Sequence, residues 1–164
     1  MEISLFLSNK DTDARRKTVT WEDLVGFLSN PRPRPEGPDV KAALRTWSPA
    51  TFVGDARKAA NVEQVSALVF DVDEDPVPSL GGMREALCGL VWFAHSSSSA
   101  TLISPRWRLV VPLSRPMSAD EHGRAWRALS GRLRFQVGAA SKDPSRVWFE
   151  ACVCEDGSFV MSQQ

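Results

Sequence analysis

The chain predicts an α+β fold: a mostly antiparallel sheet covered by two helices, with a smaller α/β unit ahead of it. Three observations predict it. Apolar runs of strand length interleave with helix-period stretches. Val65-Ser66-Ala67-Leu68-Val69-Phe70 is an apolar run that reads as a buried strand. Glu155-Asp156-Gly157 reads as a turn between two further strand candidates, as expected of a hairpin.

Taken in order, Ile3 to Leu7 reads as a strand and Asn9 to Lys17 as a charged loop. Thr20, with Asp23 three residues on, opens a helix through Leu28. Asn30 to Pro38 holds four of the eleven prolines, so it is non-helical and the expected mobile segment. Thr46 to Phe52 is irregular or a short strand, and Gly54 to Asn61 is a polar loop. After the Val65 strand, Ser79 to Cys88 reads as a helix weakened at its start by Gly81 and Gly82. Leu90 to Ala94 reads as a strand, Ser96 to Ser104 as a small-residue loop, and Arg106 to Leu113 as a strand ended by the turn Ser114-Arg115-Pro116. Ser118 with Glu121 forms a capping box for a helix through about Leu133. Phe135 to Ser141 is loop or short strand; Arg146 to Val153 and Ser158 to Met161 are strands. No repeat and no boundary between domains is visible, so residues 1–164 read as one domain, with 1–60 the α/β unit and 61–164 the core.

Composition sets further limits. A chain of 164 residues, 43% hydrophobic and 24% charged, is large enough for a real core. Formal net charge is zero, whereas a non-specific nucleic-acid binder is usually basic, so binding of that kind must come from local patches. Arginine clusters do occur, at Arg15 to Lys17, Arg106 and Arg108, Arg124 to Arg134, and Lys142 with Arg146. Three cysteines without a signal peptide read as reduced thiols in a cytoplasm. Cys152 and Cys154 have no second Cys or His pair at metal spacing, and alternate strand positions explain them better. No apolar stretch approaches a membrane span.

The residues with chemical potential begin at Asp71-Val72-Asp73, where the buried strand leaves the core. Alternation puts both carboxylates on one face, about 7 Å apart at Cα, where they can converge on divalent ions. The competing reading is a solvated acidic turn with Glu74 and Asp75 before Pro76. In Arg106-Trp107-Arg108 the guanidiniums share one face, while Trp107, Leu109, Val111 and Leu113 share the core face. Paired guanidiniums suit phosphates; an ordinary exposed sheet face is the alternative. Lys142-Asp143-Pro144-Ser145-Arg146 offers an acid, a hydroxyl and two cations at a strand entry, or simply a turn. His95 closes a strand before four serines, which can donate to phosphate or form a flexible loop; a lone histidine is more often structural. His122 is expected near the start of its helix and exposed. There is no phosphate-binding G-x-x-x-x-G-K, no nucleophile elbow and no zinc spacing.

In order along the chain, these pieces resemble the archaeo-eukaryotic primase superfamily, and within it the primase-polymerase domains of bacterial plasmid, phage and mobile-element replication proteins. The segments that carry the resemblance are Ile3 to Phe6, Trp21 to Val25, Trp47 to Phe52, Asn61 to Asp73, Pro105 to Pro116 and Lys142 to Arg146. The resemblance implies an RRM-like catalytic sheet. It implies Asp71, Asp73 and Asp143 as catalytic ligands of two Mg²⁺ or Mn²⁺ ions. It implies Arg106, Arg108, Lys142 and Arg146, with His95 and Ser99, as contacts to nucleotide or template phosphate. One departure stands out. The histidine of the second motif falls by spacing on Ala100, which cannot contact phosphate.

The leading expectation is therefore a metal-dependent nucleotidyltransferase acting on a DNA template or primer with nucleoside triphosphates, beside a helicase domain or protein. The alternative is a primase-like module that binds nucleotide or nucleic acid without full catalysis. A relaxase needs a tyrosine nucleophile, and the chain has none. A D-x-D phosphatase would want downstream residues that Arg106-Trp107-Arg108 and the Lys142 segment do not supply.

Overall fold

The computed structural model describes residues 1–37, 39–54 and 56–164. Pro38, the end of the expected proline segment, and position 55 of the expected polar loop lie outside the described residues.

Two antiparallel sheets carry the fold. The first has the order β2-β1-β3-β8, built from β1 (Glu2–Phe6), β2 (Arg15–Thr18), β3 (Thr46–Ser48) and β8 (Trp148–Phe149). The second has the order β4-β5-β7-β6-β9, built from β4 (Ala50–Phe52), β5 (Val62–Val72), β6 (Phe93–Ser96), β7 (Trp107–Met117) and β9 (Met161–Gln163). Each sheet borrows from the other half of the sequence: β8 joins the first, and β4 joins the second.

The second sheet is covered on both faces, which explains why Val65 to Phe70 are all buried. On one face Leu68, Phe70, Val72, Trp107, Leu109 and Val111 pack under α2 (Leu80–Ala86) and α3 (Ala119–Arg132), through Met83, Leu87 and Trp126. On the other, Ala67, Val69, Phe93 and Val110 meet Ile3, Trp47 and Trp148 of the first sheet and Leu24 and Leu28 of α1 (Trp21–Ser29). The expected alternation in β7 is thus present, with Trp107, Leu109 and Val111 on the helix side. Both capping boxes form, Thr20 with Asp23 and Ser118 with Glu121. No described helix is long and apolar enough to cross a membrane.

Several expectations change. Arg15 to Thr18, whose first three residues are expected in a loop, is an edge strand with all four residues exposed, so it carries no apolar signal. Ser114-Arg115-Pro116 continues β7 rather than turning, because Met117 still pairs with Val65. The strand expected at Leu90 to Ala94 runs from Phe93 to Ser96. The turn at Glu155 to Gly157 is present, with Cys154 N donating to Ser158 O, but its flanks do not form a hairpin: β8 and β9 lie in different sheets. His122 is buried, not exposed, because it lies one turn before Trp126 on the inner stripe of α3. The proline segment is docked at Arg32 and Arg34: Arg32 N donates to Ala151 O at 2.9 Å, and Arg34 Nη1 donates to Ser98 O at 2.6 Å.

Candidate phosphate-binding cleft

Alternation along β5 sends Leu68, Phe70 and Val72 into the helix-side core, so Asp71 emerges on the side facing the first sheet. Register then places Arg108 of β7 directly opposite Asp71, and His95 of β6 directly opposite Arg108. The three residues form one row across three strands.

The Asp71 and Arg108 side of that row opens into a cleft of about 170 Å³ at the seam of the two sheets. Asp71, Asp73, Arg106 and Arg108 line one wall. Arg146, Trp148 and Phe149 line the facing wall, with Lys41 and Ser97 to Ser99 at its rim. Arg108 Nη2 donates to Asp71 Oδ1 at 3.1 Å, and Arg146 Nη2 donates to Asp71 Oδ2 at 3.0 Å. Arg108 also donates from Nη1 to Phe149 O at 3.0 Å. Both guanidiniums stack on the Trp148 ring, 5.1 and 5.0 Å from its centroid, a contact that holds their planes in place. The Arg108 side chain is 10% exposed and that of Arg146 is 35% exposed, so Arg146 is the jaw that solvent reaches. Arg106 and Asp73 stand at the mouth, 3.9 Å apart.

Sequence reasoning brings together Asp71, Asp73, Ser99, Arg106, Arg108 and Arg146, all of which line the cleft. His95 lies beneath it, fully buried. Its Nδ1 donates to Ser96 O at 2.8 Å, since a carbonyl only accepts, and Nε2 has no partner among the described residues. Burial, then the Arg108 charge, holds its pKa down to about 3, so the ring is neutral at pH 7. Asp143 and Lys142 do not line the cleft. The Asp143 carboxylate instead accepts from Ser145 N and Oγ at 2.8 and 2.7 Å, closing its own turn. Lys41, Trp148 and Phe149 went unnoticed in the sequence. Ala100 is buried and lines a separate apolar groove with Leu80, Leu102, Pro105 and Trp107, on the other side of the serine loop.

The donor set does not match a two-ion centre as arranged. Both Asp71 oxygens are taken by arginines, Asp143 lies outside the cleft with Oδ1 closing its own turn, and among the described residues no three His, Cys, Asp or Glu groups are placed to hold a metal ion. What the cleft offers is a planar, aromatic-backed pair of guanidiniums, two further cations and a loop of hydroxyls.

Residues 47–164, the greater part of the chain, match the model of the VapE N-terminal domain. The chain belongs to that family. The matched span of this VapE N-terminal domain includes every cleft residue except Lys41. Among solved structures, the AEP domain of the cyanophage S-2L primase-polymerase is similar over 98% of this chain and 79% of that one, with a TM-score of 0.53 and 13% identity. The polymerase domain of Mycobacterium tuberculosis Ligase D, solved in complex with DNA, is similar over 68% of this chain at a TM-score of 0.46 and 19% identity. This chain covers 47% of that one. At such identities the likeness is one of fold, and the fold is that of the AEP primase-polymerases. A search of curated proteins finds no sequence match.

Proposed function

We propose that the cleft binds the phosphates of a nucleoside triphosphate, and that the domain serves DNA replication as a nucleotide- and nucleic-acid-binding unit of the primase-polymerase type. The observation that carries this is local charge. Lys41, Arg106, Arg108 and Arg146 face only Asp71 and Asp73 in the cleft, within a chain of zero formal net charge. Guanidiniums fixed on an aromatic face match phosphate oxygens in geometry as well as sign. The family and the fold support the replication setting.

A second reading, metal-dependent nucleotidyl transfer on a primer and template, is favoured by Asp71 and Asp73 opening into the same cleft. Asp71 and Asp73 would be the residues to hold a divalent ion there, and the ion would supply neutralisation of phosphate charge. Isothermal titration with a nucleoside triphosphate, in EDTA and in Mn²⁺, separates the two. Phosphate binding by the arginines predicts an affinity that persists in EDTA, survives Asp71→Ala with Asp73→Ala, and disappears in Arg106→Ala with Arg146→Ala. Binding that requires Mn²⁺ and is lost in the aspartate variant favours nucleotidyl transfer instead. No binding to any form of the protein refutes both.

A further inference from the structure

The outer face of α3 is the part of the surface that the cleft does not account for. From His122 to Lys142 the sequence has no acidic residue and five cations: Arg124, Arg127, Arg132, Arg134 and Lys142. All five are exposed. Among the described residues no hydrogen bond or ion pair engages any of the five side chains, although arginines elsewhere are paired: Arg15 with Asp11 and Asp13, Arg115 with Glu121, and Arg32 and Arg45 with Glu150. Arg124 and Arg127, three residues apart on α3, are unpaired like charges that cost helix stability, so that pair is not there to hold the helix together.

The shape of the face agrees with the charge. His122, Trp126 and Leu133 turn inward, which leaves Arg124, Arg127, Ala128, Gly131 and Arg132 outward. Between the arginines the face carries nothing larger than alanine, and a side chain at Gly131 would meet no atom within 4 Å. Arg124 and Arg132 are eight residues apart, about 12 Å along the axis, which matches three to four phosphates of one strand at about 3.4 Å each. The strip also leads to the cleft. Gly138, between Arg134 and Lys142, donates its N–H to Asp71 O at 2.8 Å, and a Cβ on Gly138 would stand 3.4 Å from the Asp71 Cβ. The segment carrying Arg134 and Lys142 therefore connects the helix to the rim where Asp71 and Asp73 open.

We propose that the outer face of α3 is a track for the sugar-phosphate backbone of DNA, delivering it to the cleft rim without reading its sequence. The proposal rests on the nucleic-acid partner assigned above, but not on what the cleft itself binds.

The test is fluorescence anisotropy with a primer–template DNA duplex across a salt series. It compares the wild type, the variant Arg124→Ala, Arg127→Ala, Arg132→Ala, Arg134→Ala, and the matching four-lysine variant. If about three of the four arginines contact phosphate, the slope of log K against log salt falls by about 3 in the alanine variant, and affinity drops about 100-fold or more near 0.1 M salt. The lysine variant keeps most of both. Triphosphate affinity at the cleft and the melting temperature stay near wild type. An unchanged slope overturns the proposal, and so does a loss of triphosphate binding in parallel with DNA. Failure of the cleft reading looks different: triphosphate binding is then absent from every protein, while the slope still distinguishes the alanine variant.

Discussion

Replacing Asp71 by asparagine removes one negative charge from the cleft and almost no volume, and it discriminates between an acid that serves as counter-ion and one that serves as metal ligand. In the wild type each Asp71 oxygen sits about 3 Å from a guanidinium nitrogen. A phosphate taken by the solvent-facing Arg146 would come to rest about 6 Å from the Asp71 carboxylate. At that distance, with an effective dielectric of about 40–80 for an open cleft, the repulsion removed is roughly 0.7–1.4 kcal/mol. The separation is also inside the screening length of about 10 Å at 0.1 M salt, so the effect persists at that ionic strength. Triphosphate binding in EDTA should therefore tighten roughly 3- to 10-fold in Asp71→Asn. The folded protein loses a charge-assisted bond to each of two arginines, about 1–2 kcal/mol in net terms once the amide's remaining hydrogen bond is counted. For a domain of this size that lowers Tm by a few degrees. The assay is anisotropy of a labelled triphosphate in EDTA, with calorimetry alongside. Equal or weaker binding by a folded Asp71→Asn protein would refute the counter-ion argument.

The remaining predictions concern the surroundings of the cleft. Arg34→Ala removes the bond to Ser98 O, so the serine loop should loosen; triphosphate affinity should fall several-fold in titration while Tm drops by only a few degrees. Ala100→His should not restore a phosphate contact, because position 100 is buried beside Trp107 on the far side of that loop. Overpacking should cost about 1–3 kcal/mol in urea unfolding with no gain in binding, and a gain would show that the loop can turn over. His95 has a folded pKa near 3, below its ordinary 6.5, because burial disfavours the charged ring; His122 is lowered for the same reason. Protons therefore favour the unfolded chain. Stability should be complete above about pH 6.5 and decline below it, for His95 as pH falls toward 3 by up to about 1.4 kcal/mol per pH unit, with His122 acting in the same direction. Urea titrations from pH 7 to 4.5 check this, and a flat profile would contradict the burial of both rings.

The parts of the site that were legible in the sequence were those set by local period. Asp71 with Asp73, and Arg106 with Arg108, share a face because strand residues two apart must, and the apolar run before Asp71 identifies the strand. The caps at Thr20 and Ser118 were legible because their partners lie three residues away. What was hidden depends on distant partners. Arg146 reaches Asp71 across 75 residues, and no spacing rule connects them. Lys41 follows the proline segment and has no periodic context at all. Turn chemistry at Glu155 to Gly157 predicted a turn and was right, but a turn does not decide which sheet its flanks will join. His122 is a different kind of miss: its place four residues before Trp126 was in the sequence, and the inner stripe of α3 could have been drawn through both.

Thr46 to Phe52 is a single run of chain that leaves the first sheet at Ser48 and enters the second at Ala50, with only Pro49 between. The two layers are therefore the covers of one book, with this run at the spine. Asp71, Arg106 and Arg108 belong to one cover; Trp148 and Phe149 belong to the other, with Arg146 just ahead of them. Neither layer alone holds a usable cleft, so a fragment beginning at residue 61 would keep the acids and lose β3, the strand on which Trp148 is seated. A phosphate gripped from both covers would act as a rivet. It would raise the stability of the closed book by an amount that grows with the logarithm of its concentration, and both layers would melt together in one later transition.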